Sequence, residues 1–258
     1  GESTEGAIDE QIRHAITKMA HIHFTGAEFY KERIIKMGEE PWRVYNVGQA
    51  GIENIKRLKL LEKSELENEL GLKFNKKVFL VTYHPVTLEN ESIGEQMDNL
   101  ISAISEFQAK YIFTYPNADY GSRIIIDKIN EFKEKNSDVY VFDNLGQIKY
   151  LSLLKYADVM IGNSSSGIIE APSFKLPVVN IGDRQKGRLR NKNIIDTMYD
   201  KEEIKKAIEI ALYDKKFKES LDHMINLYGD GETSSKIIRI LKKINIGDKK
   251  LLFKKLTY

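Results

Sequence analysis

Apolar residues recur along this chain at two spacings, and the spacing changes from one segment to the next. Between residues 7 and 20 they fall at Ala7, Ile8, Ile12, Ala15, Ile16 and Met19, one stripe of a helix. Residues 21–25 and 44–47 read as short strands around a helix over 27–37. The Gly48-Gln-Ala-Gly51 segment and the charged stretch 53–69, ending at Gly71, predict a hinge and connecting helices. One unit then repeats: apolar runs at 78–82, 111–115, 139–142 and 159–161 alternate with helical stretches at 93–108, 123–133 and 147–156. Unbroken apolar runs suit strands buried on both faces, and their alternation with helices predicts an α/β fold, a Rossmann-like doubly wound parallel sheet. Residues 201–213, 216–228 and 234–244 read as helices, with Gly229-Asp-Gly231 as a break and the lysines at 249, 250, 254 and 255 as a solvated tail. No internal repeat or low-complexity segment interrupts this order.

Composition narrows the class. The 258 residues suffice for one large or two modest domains, and 41% hydrophobic residues is ordinary for a folded core. A formal charge of +2, from 40 basic and 38 acidic residues, gives no reason to expect nucleic acid or a membrane surface as a partner. With no cysteine there is no disulfide, thiolate metal site or cysteine nucleophile. No apolar run is long enough to span a membrane, and the start lacks the pattern of a signal peptide, so a soluble cytoplasmic protein is expected.

Ligands of parallel sheets sit at the carboxyl ends of the strands, and polar turns collect there. His84 follows the first strand of the repeat, Pro116-Asn-Ala-Asp-Tyr-Gly121 the second, Asp143-Asn-Leu-Gly146 the third, Ser164 to Ser166 the fourth, and Gly182 to Arg188 a fifth over 178–181. The fourth turn carries the sharpest chemistry. Ser164, Ser165 and Ser166 stand between a strand and a helix start, where free N–H groups, the helix dipole and hydroxyl donors suit a phosphate. Glu170 follows about one turn on, where a carboxylate can accept both hydroxyls of a ribose. Serine and asparagine are also ordinary helix caps. Elsewhere, Asp9 and Arg13 share a helix face, by themselves an ordinary surface ion pair, and His14 points away from them. His21 and His23 alternate as two metal ligands would, but no third ligand lies at a suggestive offset, so no metal site is expected. The absence of a P-loop and of Gly-x-Gly-x-x-Gly argues against ATP hydrolysis and dinucleotide-dependent redox chemistry.

The segment Asn163-Ser-Ser-Ser-Gly-Ile-Ile-Glu-Ala-Pro172, followed by Val178-Val-Asn-Ile-Gly-Asp-Arg-Gln-Lys-Gly-Arg188, resembles the nucleotide-binding signature of the UDP-N-acetylglucosamine 2-epimerase family. The Gly-Asp-Arg-Gln-Lys-Gly-Arg loop, and His84-Pro-Val-Thr-Leu-Glu89 in place of His-Arg-x-Glu-Asn, favour its hydrolysing, sialic-acid-pathway branch. The resemblance implies the C-terminal half of a glycosyltransferase-B-like two-domain architecture. Residues 1–50 would close an N-terminal Rossmann-like domain whose earlier part precedes Gly1, 51–240 would be the UDP-binding domain, and 241–258 the end of the last helix and a tail. It implies conversion of UDP-N-acetylglucosamine and water to N-acetylmannosamine and UDP, by elimination and then hydration, without metal or nicotinamide cofactor, in a dimer or tetramer of identical chains.

Roles follow from matched positions. Asp9 would be an acid/base and Arg13 a charge stabiliser or phosphate contact. The imidazolium of His84 would favour departure of UDP. Arg184 and Arg188 would hold the diphosphate opposite Ser164 to Ser166, Glu170 the ribose, and Tyr150, otherwise a half-buried aromatic, would flank the uracil. Alternatives are a hydrolysing epimerase of a UDP-2,4-diacetamido-trideoxyhexose, as in legionaminic acid synthesis, a non-hydrolysing 2-epimerase, and a non-catalytic UDP-binding module or glycosyltransferase half-domain.

Overall fold

The computed structural model describes residues 1–3, 9–86 and 93–258, and at Asp9 it describes the backbone alone. In chain order the elements are α1 (Asp9–Met19), β1 (His23–Thr25), α2 (Glu28–Lys36), β2 (Val44–Asn46), α3 (Ala50–Arg57), α4 (Lys63–Leu70), β3 (Lys77–Thr82), α5 (Ile93–Ile104), β4 (Ala109–Thr114), α6 (Ser122–Lys135), β5 (Val139–Phe142), α7 (Gly146–Tyr156), β6 (Val159–Gly162), α8 (Ser165–Ile169), β7 (Val178–Ile181), β8 (Ile194–Thr197), α9 (Lys201–Tyr213), α10 (Lys215–Asp222), α11 (Thr233–Leu241) and α12 (Lys249–Leu252). They form two compact units, Leu58–Gln185 with Arg190–Ile225, and Gly1–Arg57 with Lys186–Leu189 and Asn226–Tyr258.

The larger unit is built on a six-stranded sheet in the order β5-β4-β3-β6-β7-β8, every pairing parallel. Val78, Phe79, Leu80 and Val81 of β3 are all buried, so both faces of the central strand are covered, as its unbroken apolar run requires. Helices α5, α6 and α9 pack on one another and on the sheet, with Met97, Leu100, Ile104, Ile125, Ile204 and Ile208 in the same core as Phe79 and Val81. From β3 the chain runs outward through β4 and β5, then returns to β6 on the other side of β3. That reversal opens a crevice at the carboxyl ends of β3 and β6. Gly162 permits the close approach there. Its φ is +130°, and a Cβ would overlap the Thr82 carbonyl oxygen.

In the smaller unit β1 and β2 pair in parallel, His23 opposite Val44, with α2 crossing between them and packing on both. Its C-terminal segment differs from the sequence expectation. The lysine-rich run is no solvated tail: Arg43, fully buried, donates to the carbonyl oxygens of Lys250 (2.7 Å), Leu251 (2.9 Å) and Phe253 (3.2 Å). Lys254 donates to the Lys18 (2.8 Å) and Ala20 (2.6 Å) carbonyls at the end of α1 and pairs with buried Glu39 at 2.7 Å. Among the described residues no helix is long and apolar enough to cross a membrane.

Candidate functional site

At the crevice a cavity of about 520 Å³ is lined from all five polar turns. Thr82 and His84 come from the end of β3, Thr114 and Asn117 from β4, Asp143 to Gln147 from the β5 turn, Ser164 to Ser166 from β6, and Arg184 from the turn after β7. Tyr150 completes the wall from the second turn of α7. The serine turn is built as its composition suggests: Ser164 caps α8 and accepts from the Ser166 N–H at 3.3 Å. The helix itself is shorter than the apolar spacing implies. It closes after five residues, at Ile169, and passes into a 3-10 turn over Ala171–Phe174 that contains Pro172. Glu170 is therefore a terminal residue, half-buried, its N–H donating to the Ser166 carbonyl at 2.9 Å.

The imidazole of His84 is fixed and neutral. Burial, then the positive charge of Arg184, lowers its pKa to about 4, with Asp119 opposing. The N–H of Asn117 donates to its Nδ1 at 3.2 Å, which leaves Nε2 to carry the proton. Before a ligand enters, this group is thus a neutral hydrogen-bond donor, whereas the imidazolium expected from the resemblance belongs to the UDP-bound state. Arg184 supplies the permanent charge, its guanidinium held by the Asn163 carbonyl at 3.2 Å. Burial pushes the Tyr150 phenol pKa up, and the neighbouring Ser166 and Ser164 hydroxyls partly offset this. A cationic fork, a neutral imidazole and a row of hydroxyls around one cavity suit an anionic, oxygen-rich ligand such as a sugar diphosphate.

The other expected residues lie in the smaller unit. Arg188 pairs with Glu2 at 3.5 Å, and Arg13 faces the same carboxylate at 3.9 Å. Arg188 is not among the residues that line the cavity. The Asp9 side chain lies outside the described residues. His14 pairs with Glu10 at 3.1 Å, and buried His23 turns its Nε2 to Glu39 at 3.1 Å. Among the described residues no cluster of three or more His, Cys, Asp or Glu is arranged to hold a metal.

Sequence reasoning passed over Asn163 and Asn117, which hold His84 from both sides. Asn163 opens the serine motif and Asn117 sits in a rim turn, but what they do is fixed by contacts far apart in the chain.

The model of the UDP-N-acetylglucosamine 2-epimerase family matches residues 1–242. The chain belongs to this family. It is 45% identical over 249 residues to the GDP/UDP-N,N'-diacetylbacillosamine 2-epimerase (hydrolyzing) of Campylobacter jejuni, a match covering 95% of this chain and 64% of that protein. It is 42% identical over 244 residues to polysialic acid biosynthesis protein P7 of Escherichia coli, covering 94% of this chain and 62% of that one. The solved S. aureus MnaA–UDP co-structure shares the fold at a TM-score of 0.74 and 19% identity, covering 91% of this chain and 64% of that chain. This chain therefore spans under two thirds of the length of these relatives.

Proposed function

We propose that this protein is a hydrolysing 2-epimerase of a UDP-linked 2-acetamido sugar, acting in the cytoplasm. The observation that supports it most is the cavity at the β3–β6 crevice, where five polar turns converge around Arg184, His84 and the serine turn. The diphosphate would lie between Arg184 and the Ser164 to Ser166 hydroxyls, with the Nε2–H of His84 toward the bridging oxygen, Glu170 on the ribose and Tyr150 beside the uracil. Arg188, Arg13 and Asp9 are proposed for the same reaction from the family resemblance, Asp9 as an acid/base. In the first step a base takes the proton from sugar C2 while the C1–oxygen bond breaks and UDP leaves, forming a glycal. In the second, water adds at C1 and a proton returns to C2 from the opposite face, giving the free epimeric sugar.

For the sugar, we propose the UDP-2,4-diacetamido-trideoxyhexose, because the relative sharing 45% identity is named for it. UDP-N-acetylglucosamine, which the sequence motifs suggested first, is the second reading, favoured by the 42% identity to a polysialic acid biosynthesis protein. The test is a proton NMR time course in deuterated water with each sugar in turn. Release of UDP with a free 2-epimeric sugar carrying deuterium at C2 is expected, faster with the diacetamido sugar. Intact UDP-sugar with unbroadened uridine signals in both cases would sink the proposal.

A further inference from the structure

Asn163 has no exposed surface, and it stands where three rim turns meet. Strand β3 ends at Thr82, yet the pairing continues beyond it. The Asn163 N–H donates to the Thr82 carbonyl at 3.2 Å. The Asn163 side chain then takes over the role of a strand: its Oδ1 accepts from the His84 N–H at 2.7 Å and its Nδ2 donates to the His84 carbonyl at 2.8 Å. One side-chain amide thus satisfies both polar groups of a peptide that has left the sheet, its acceptor and donor standing on two adjacent atoms as this pairing needs. The same residue's carbonyl accepts from Arg184 Nη1 at 3.2 Å and from Gln185 Nε2 at 2.8 Å. From the far side the Asn117 N–H holds the imidazole by Nδ1 at 3.2 Å.

We infer that Asn163 is the positioning residue of this site: its amide fixes the His84 backbone so that the imidazole presents Nε2–H to the ligand, at a set position relative to Arg184. The inference rests on the reading of the cavity as the UDP-sugar site for its catalytic consequence, but not for its geometry. Side-chain and backbone contacts separate cleanly. Replacing the side chain removes the bonds to His84, while the carbonyl that holds Arg184 and Gln185 belongs to the backbone and stays. The effect should therefore fall on the step His84 serves and spare the charge that holds the diphosphate.

Two substitutions bracket the packing, Asn163→Leu of similar shape and Asn163→Ala. In both, turnover should fall about tenfold or more while UDP affinity by calorimetry changes less than about threefold. Combined with His84→Gln, neither should lower turnover further by more than about threefold, since both act through one group. An additive loss, or turnover within about threefold of wild type, would overturn the inference. If wild type releases no UDP, it is the functional reading that has failed, and a second readout still decides this one. In nitrogen-15 spectra assigned with His84→Gln, the wild-type His84 ring should be the Nε2–H tautomer, and in the Asn163 variants it should become a tautomer mixture titrating closer to an ordinary histidine. An unchanged ring in folded variants would overturn the positioning role.

Discussion

His84 shows how a side chain's surroundings, and not its identity, decide what it offers. Burial and Arg184 bring its pKa down to about 4 in the folded chain, against about 6.5 for a free histidine. The unfolded chain then binds a proton that the folded chain refuses as the pH falls through this window, so stability is complete above about 6.5 and is lost toward 4. Between neutral pH and pH 5 the wild type should lose about 2 kcal/mol more than His84→Gln in chemical denaturation. Parallel stability curves for the two proteins would show that the imidazole is ordinary. A second expectation concerns Glu170, near enough to Tyr150 for its charge to help raise the phenol pKa. Glu170→Ala should weaken UDP binding by at least about tenfold, through the loss of charge-assisted hydrogen bonds to a ribose, and calorimetry at wild-type affinity would remove it from the site. The sequence singles out His84 because it follows a strand end, and Glu170 because it follows the serine turn by about one helical turn. It does not single out Asn163: its partner is 79 residues away, and no local pattern carries a contact of that separation.

Strands and helices followed the apolar pattern wherever burial was two-sided. β3 and β6 carry unbroken apolar runs, β4 and β7 are apolar apart from Lys110, Thr114 and Asn180, and each took its place, with the edge strand β5, in one parallel sheet. The strand the pattern missed, β8, is an edge strand of sequence Ile-Ile-Asp-Thr, paired with β7 alone and only half-buried, so it never needed a full apolar run. The helix expected over 216–228 stops at Asp222 because the chain turns after it, with Asn226 Oδ1 accepting the Tyr228 N–H at 2.9 Å; Ile225, apolar at a helical spacing, is left 81% exposed. Two glycines separate conformational freedom from close approach. Gly71, the left-handed cap of α4 at φ 68°, has nothing near the place of a Cβ, so Gly71→Ala should cost only about 1 kcal/mol of backbone strain. Gly162 has a positive φ and, in addition, the Thr82 carbonyl where a Cβ would go. Gly162→Ala must push β6 from β3 and should cost about 3 kcal/mol or more. Thermal or urea unfolding of the pair checks the order, and equal losses would mean that the β3–β6 approach is not tight.

Among its described residues the smaller unit has two strands of three residues, and beside a small apolar core it holds buried charged groups that its C-terminal segment satisfies. Glu39 is almost fully buried; burial alone would raise its pKa, but hydrogen bonds from Lys254, His23 and Lys18 outweigh it and keep the carboxylate ionised. Arg43 is completely buried, with Glu40 at 2.7 Å and three carbonyls of residues 250–253 around its guanidinium. Apolar periodicity could not announce this arrangement, because a lysine-rich terminus looks the same in sequence whether it is solvated or closes over buried partners. Deleting residues 248–258 would strip Arg43 of three acceptors and Glu39 of its Lys254 partner, leaving buried charges poorly compensated at a cost of about 3 kcal/mol or more. The loss should be confined. Hydrogen exchange should quicken in α1, β1 and β2, whose side chains or carbonyls meet the deleted segment or flank those that do, while amides of β3, β4 and β6 keep the protection of the sheet. Uniform loss across both units would mean that the segment supports the whole chain, and unchanged exchange in α1 and β1 would return it to a solvated tail.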